Sequence, residues 1–309
     1  MFNKISTKTL VILFAVLLLV VAYLLFFKSG EERSFRNELV NIDTSKVGEI
    51  HIYPRDKKHE IYLTRDGVNW NIKLTENKTA PALKSKITNL LNELTRIKPT
   101  VLAARDQSKW KEFQVDSSGT RIKVFENGKP SLDIVIGRIA FQQPNSVSTY
   151  VRLNNDVDVY KTDGYLGMMI GRSPNDFRNP NIISSNRTDW TRLTFRYPAD
   201  SSFILIKDGN KWKINGIDID SAKTVQLLGS LEHVTSENFA DNFNPGDFQK
   251  PVYRITIDKK DTTSINVDAY MDSLRVIIHS SENPESYFTG TKDLNARLFL
   301  SPKRFVIKK

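Results

Sequence analysis

The chain contains no cysteine. That excludes disulfides, thiol catalysis and cysteine-ligated metal, and it fits a protein exported from a bacterial cell. Histidine is also scarce. The four, His51, His59, His233 and His279, are scattered, with no pair at i, i+4 and hence no metalloprotease helix. The 14 glycines fall mostly at turns, and none builds a phosphate-cradling loop, a dinucleotide fingerprint or a serine nucleophile elbow. Long apolar runs are missing too, with one exception at the N-terminus.

That exception is residues 10–27, uncharged and almost wholly apolar. As a helix it extends roughly 27 Å, close to the ~30 Å hydrocarbon core of a bilayer. It ends in Tyr23, Leu24, Leu25, Phe26 and Phe27 before Lys28, without the small residues that mark a signal cleavage site. The expectation is an uncleaved transmembrane helix over 10–27, preceded by a cytoplasmic tail over 1–9 and followed by a charged tether over 28–40. Lys4 and Lys8 on one side are matched by Lys28, Arg33 and Arg36 on the other, so charge alone leaves the orientation open. Ala15 and Ala22, seven apart, share a helical face that a partner helix could use, against the plainer reading of a passive lipid anchor.

Of the net charge of +10, Lys4 and Lys8 supply two, leaving +8 for the rest of the chain. Such an excess favours an anionic membrane surface or an acidic partner. The remaining length suits two ordinary domains. The first is expected over 41–171. Val47, Ile50 and Ile52 open a strand, Ile61 and Leu63 form a second, and an Asp66-Gly67 turn leads to Trp70 and Ile72. A helix follows, with Pro81 near its first turn, Leu83, Ile87, Leu90, Leu91 and Leu94 on one face, and Pro99 beyond its end. After a loop with Trp110 and Phe113, strand signals return at 122–125, 132–136, 147–153 and 157–160, before a short helix near 165–170.

Residues 172–187, rich in Asn, Pro, Ser and Arg, read as a linker. The order of elements then repeats over 188–309. Strands at Trp190 to Phe195 and 203–206, an Asp208-Gly209 turn, and Trp212 with Ile214 match the opening of the first domain. A helix with Val225, Leu227, Leu228, Leu231 and Val234 follows, and Leu227, Leu228 and Leu231 reproduce the spacing of Leu90, Leu91 and Leu94. Strands at 252–257, 264–267 and 274–278 and a helix over 294–300 complete it. The fold class is therefore α+β: two similar, duplicated domains, each an antiparallel sheet covered by a helix.

Chemistry is hard to place on this frame. Asp218 and Asp220 could share a hard cation, but Asp220 stands where it would cap the second long helix. Asp258, Asp261 and Asp268 accompany Lys259 and Lys260 in a hairpin, without the ligand order of a calcium loop. Trp70 and Trp212 sit at equivalent places and fit core packing better than sugar or base binding, as do Trp110 and Trp190. Arg55, Lys57 and Lys58 form a solvated turn, and Lys303, Arg304, Lys308 and Lys309 a charged tail. Asn77 and Asn186 begin short glycosylation-like matches that matter only in a eukaryotic secretory pathway. No catalytic, cofactor-binding or metal-binding residue is assigned, no cofactor is expected, and no nucleic acid is expected as partner.

The opening at 47–52, Trp70 followed by the Leu90, Leu91 and Leu94 helix, and the series Ile134, Val135, Ile136, Gly137, then Tyr150, Val151, Arg152, then Val159, Tyr160 resemble the bacterial family called domain of unknown function 4340. The resemblance covers most of residues 40–170, and the second half matches only as a degenerate copy. Where many members carry a Gly-Leu step with a nearby proline, this chain has Phe113, Gln114 and Val115. The resemblance implies a single-span protein with a mainly β part outside the cytoplasm, associated with ABC-type export or gliding-motility transporters. The expectation is a non-enzymatic, membrane-anchored scaffold or substrate-capturing subunit in the bacterial inner membrane, partnered by an ABC permease, with its C-terminal domains periplasmic. The alternatives are a free-standing envelope module that binds glycan or peptide, and an envelope hydrolase using dispersed carboxylates.

Overall fold

The computed structural model describes residues 7–27, 36–55, 60–142, 146–219, 221–248, 250–273 and 275–305. The Asp220 cap, His59, Leu274 and the charges at Lys4, Lys28, Arg33, Lys57, Lys58, Lys308 and Lys309 lie outside the described residues. The first element, α1 (Thr7–Phe27), follows the apolar run. Side chains are described on it for Lys8 and for residues 11–21, all exposed. Among the described residues, no helix is both long and apolar enough to cross a membrane.

The first half is built from β1 (Val47–Tyr53), β2 (Ile61–Asp66), β3 (Asn69–Thr75), β4 (Lys78–Ala82), α2 (Lys84–Thr95), β5 (Pro99–Ala104), α3 (Trp110–Phe113), β6 (Thr120–Glu126), β7 (Lys129–Gln142), β8 (Ser146–Leu153), β9 (Val159–Asp163) and α4 (Leu166–Met169). Its strands form one antiparallel sheet in the order β4-β3-β2-β1-β6-β7-β8-β9-β5. Alternation along the strands sends Ile50, Ile52, Ile61, Leu63 and Ile72 to one face, where they are fully buried. Ile87, Leu90, Leu91 and Leu94 of α2 pack into the same core, as the helical spacing requires, and Trp70 joins them.

After β10 (Asn181–Ser184), the second half runs β11 (Trp190–Arg196), β12 (Phe203–Asp208), β13 (Lys211–Ile214), β14 (Ile217–Asp218), α5 (Ser221–Leu231), β15 (His233–Thr235), β16 (Tyr253–Lys259), β17 (Ser264–Asp272), β18 (Arg275–Ser280), β19 (Asn283–Gly290) and α6 (Lys292–Leu298). Its sheet has the order β14-β13-β12-β11-β16-β17-β18-β19. Position for position this matches the first eight strands of the other sheet. Registers agree as well: Ile50 pairs Leu63 and Leu63 pairs Ile72 in one, and Leu193 pairs Leu205 and Leu205 pairs Ile214 in the other. The turns at Gly67 and Gly209 share a left-handed φ, +58° and +59°, which glycine adopts without steric cost. Trp212, Leu228 and Leu231 are buried in the second core, with Leu227 packed against it.

Several segments differ from expectation. Pro81 lies in β4, opposite Asn71, and α2 begins after it at Lys84. An edge strand tolerates a proline because only one of its sides must be hydrogen-bonded. Pro99 opens β5, which pairs with β9. Val234 belongs to β15, where it pairs with Ile183 of β10, since the chain leaves the helix after Leu231. The last strand, β19, is broken in pattern by Pro284 and Glu285 and escapes a search for alternation.

The segment 172–187 carries structure of its own. A single-turn helix over Pro174–Phe177 places Phe177 in the first core, while Ile182 and Ile183 of β10 enter the second. The Leu83 amide donates to the Phe177 carbonyl at 2.6 Å. One residue on, Arg178 is 2% exposed, donates to both oxygens of Asp241 at 2.9 and 2.8 Å, and lies 3.6 Å from the Phe239 ring centre. The joining segment thus packs into both halves.

Candidate functional site

The acidic residues singled out in the sequence are dispersed. Asp218 is exposed in β14. Asp258 accepts from the Ser264 hydroxyl at 2.7 Å, and Asp261 accepts from the amide and hydroxyl of Thr263, which hold its carboxyl below the usual range. Asp268 is gripped by Arg254 through two hydrogen bonds, 2.5 and 2.8 Å. Among the described residues no three metal-ligating side chains converge. His51 meets Glu49 and the rings of Tyr62 and Phe125, His279 stacks on Tyr287 at 4.6 Å, and His233 is far from both in sequence and exposed.

Trp70, Trp190 and Trp212 are buried in the cores. Trp110 alone of the four is only half-buried, and it stands on the wall of a cleft of about 610 Å³. The cleft lies on the face of the first sheet turned away from α2. Arg121 of β6, Val135 of β7 and Arg152 of β8 form its floor, with Tyr53 and Glu60 on one side and Gln107, Trp110 and Asp116 on the other.

The wall carrying Trp110 is held by local chemistry. Asp106 accepts from the Ser108 amide at 2.9 Å and starts a turn of helix over Gln107–Lys109 that runs into α3. α3 ends at Gln114, whose φ of +56° and ψ of +36° are left-handed. The departure at Phe113, Gln114 and Val115 therefore falls on a position whose backbone glycine would adopt more readily. Phe113 and Val115 then pack with Val135 and Val159 in a small third core. Two glycines make room for this wall. A Cβ on Gly137 would stand 2.3 Å from the Phe113 carbonyl oxygen, and one on Gly119 would stand 2.6 Å from that of Gln114.

Arg152 is the most constrained group of the floor. It is 4% exposed, and its guanidinium lies 3.7 Å from the Trp110 ring centre. Its Nε donates to the Val115 carbonyl at 3.0 Å, and its Nη1 to the carbonyls of Leu153, Asn154 and Asp156 at 3.0, 3.1 and 2.9 Å. Burial draws its pKa below the usual arginine value. Its neighbour Arg121 is paired in fork geometry with Asp133, at 2.7 and 2.6 Å, and Asp133 also accepts from Asn154 at 3.3 Å. Beyond the floor, Arg36 forms an ion pair with Asp156 at 3.1 Å and ties the segment after α1 to this face.

Arg121 and Arg254 are equivalent by register, Arg121 preceding Ile122 opposite Ile52 and Arg254 preceding Ile255 opposite Phe195. Each grips an aspartate of the next strand. The cleft itself has no such counterpart, because the residue opposite Asp268 in β18 is His279 where Arg152 stands opposite Val135 in β8. What the first sheet offers is aromatic faces, fixed donors and acceptors and one buried cation, an arrangement suited to holding a ligand.

Trp110 and Arg152 are 42 positions apart, and nothing local joins them. The one signal is a charge on the same face of β8 as Tyr150, in a strand whose opposite face is Val147, Thr149 and Val151.

An antiparallel α+β protein with a cleft on its first sheet is the class so defined. The family model described as Domain of unknown function (DUF4340) matches residues 70–254, more than half of the chain, and the chain belongs to that family. The match runs from β3 to the start of β16 and so covers part of each half, whereas the resemblance read from the sequence is concentrated in residues 40–170. No curated protein and no solved structure matches.

Proposed function

We propose that this chain is a non-enzymatic, membrane-anchored subunit that works outside the cytoplasm as an auxiliary or scaffold component of an ABC-type export or gliding-motility transporter. The observation that carries the reading is α1. Its large apolar side chains over 11–21 are 43–70% exposed and pack on no core among the described residues, a surface suited to cover by lipid or another helix. Extended to residues 10–27, the run matches a bilayer core, and the inner membrane of a bacterium is the location this implies. From Phe27 to the buried Leu39 there are twelve residue steps, at most ~43 Å of chain, which keeps the first sheet near the membrane surface. The equal strand orders of the two sheets support an origin by duplication.

Co-purification from gently solubilised membranes tests the reading. A tagged full-length chain is expected to bring down a permease and its ATPase, and to do so less well when residues 10–27 are replaced by an unrelated apolar helix. A chain that fractionates with soluble protein, or never brings down transport subunits, would end it. The cleft between Tyr53 and Trp110 favours a second reading, an envelope module that captures glycan or peptide. That version predicts binding to cell-wall material by the purified full-length chain with no transporter present.

A further inference from the structure

A second cavity, of about 490 Å³, lies at one end of the second sheet beside α6. Tyr197 just past β11, Tyr253 at the start of β16, Met271 near the end of β17 and Val276 of β18 meet there, and Phe299 and Leu300 after α6 complete the lining. The inner wall is continuous with the second core, because Tyr197, Val276 and Phe299 pack on it. Met271, 41% exposed, marks where the cavity opens to solvent.

Charge is missing from this lining. The chain carries 45 lysines and arginines and 35 aspartates and glutamates, yet among the described residues none of them lines the cavity. The cleft of the first sheet, by contrast, presents Glu60, Asp116, Arg121 and Arg152. Burial pushes the Tyr197 hydroxyl far above the usual tyrosine value, so that wall stays neutral as well. A charged ligand would lose its hydration here and meet no opposite charge in return, which favours neutral ligands.

Three rings set the shape. Those of Tyr197, Tyr253 and Phe299 have centres 5.2–6.3 Å apart, with Tyr197 edge-on to the other two at 69° and 75°, and Tyr253 inclined to Phe299 at 37°. Aromatic pairs prefer such tilted arrangements, and a further flat ring can join in the same manner. The shared fold does not call for these rings. The registers that match the two sheets place Pro54 where Tyr197 stands and Thr120 where Tyr253 stands, and the first sheet forms without them. An apolar cavity of about 150 Å³ takes one benzene ring, so the volume here has room for two.

We propose that this cavity binds a small neutral aromatic molecule of about two rings, laid against Tyr197, Tyr253 and Phe299. The site stands apart from the transporter reading. Failure to co-purify transport subunits leaves it intact, and an empty cavity leaves that reading intact.

The purified full-length chain in detergent micelles is dialysed to equilibrium at neutral pH against naphthol, naphthoate and decahydronaphthol, all substituted at the same carbon, with protein-free micelles as the blank. The second probe adds charge and the third removes aromaticity. Naphthol is expected to bind saturably, about tenfold or more tighter than naphthoate and about threefold or more tighter than the saturated alcohol. Ser301→Trp puts a large side chain on the exposed rim, where Ser301 makes no capping bond, and is expected to weaken naphthol about tenfold or more. Tyr253→Leu keeps an apolar side chain but removes a ring, and is expected to weaken naphthol about two- to tenfold. Thermal unfolding checks that each variant is folded, and the comparison of probes on the unaltered chain decides even where a variant is not. No saturable naphthol binding, equal or tighter binding of naphthoate or of the saturated alcohol, or naphthol binding indifferent to a folded Ser301→Trp variant would each overturn the proposal.

Discussion

Arg178 holds both carboxylate oxygens of Asp241 across the segment that joins the two sheets, with its guanidinium laid on the ring of Phe239. The arginine is buried and the aspartate about one third exposed. Removing the arginine leaves Asp241 unpaired and the Phe239 face bare. Arg178→Ala is expected to lower stability by about 2–4 kcal/mol, with Asp241→Asn costing less, since it keeps a hydrogen bond. Urea unfolding of the full-length chain measures both. A loss below about 0.5 kcal/mol for Arg178→Ala would show that the joining segment does not depend on this pair.

Gly137→Ala tests the seat of the Trp110 wall. The new methyl would meet the Phe113 carbonyl oxygen, main chain that cannot swing aside as a long side chain would. A destabilisation of about 1–3 kcal/mol is expected, together with faster proteolysis within 107–117. Gly48→Ala is the control, because a Cβ there meets nothing within 4 Å. Equal protease sensitivity of the two variants would refute the seat.

The two long helices give a matched comparison. Leu91→Ala and Leu228→Ala remove equivalent buried side chains and are each expected to cost about 2–5 kcal/mol. Val225, 46% exposed on α5, is expected to tolerate alanine within about 0.5 kcal/mol. Chemical denaturation of the three variants decides whether the leucine spacing marks the buried face in both halves.

Asp43 sets an acid limit. Its carboxylate accepts from the amide and hydroxyl of Ser45 and pairs with Lys46, and these contacts lower its pKa to about 2. An unfolded aspartate titrates near ~3.9, so the folded form releases its proton more readily than the unfolded one. The stabilisation is present above the unfolded value and is lost as pH falls through about 2. Asp43→Asn is therefore expected to flatten the dependence of stability on pH between ~4 and ~2 and to leave it unchanged above ~5. An unaltered acid-unfolding curve would contradict this assignment.

The parts legible in the sequence were those governed by short periods. Val47 to Ile72 alternates cleanly, and Ile87, Leu90, Leu91 and Leu94 fall on one helical stripe, so strand, turn and helix could be placed. Pro99 stands beyond the helix end as read, but Pro81, which local rules put near the first turn of the helix, is a strand residue by tertiary pairing. The linker reading of 172–187 followed its polar composition, whereas Phe177, Ile182 and Ile183 each contribute one large side chain to a core and leave no periodic trace. The cleft was the least visible part. By sequence Trp110 reads as loop and Arg152 as strand, and what joins them is the fold of β7 and β8 beneath α3, a relation between distant segments that no window of sequence contains.

The strand orders carry a consequence for assembly. Each sheet is open, and at the far end of the second the outer edge of β19 is covered by the main chain of Asn238 and Ala240, which bonds Thr289 and Tyr287. At the meander end the first sheet stops at β4, where Pro81 removes a donor, and the second stops at β14, only two residues long. Neither offers a template on which a neighbouring copy could add a strand in register. Chains crowded side by side are in this way kept from zipping together through their meander ends.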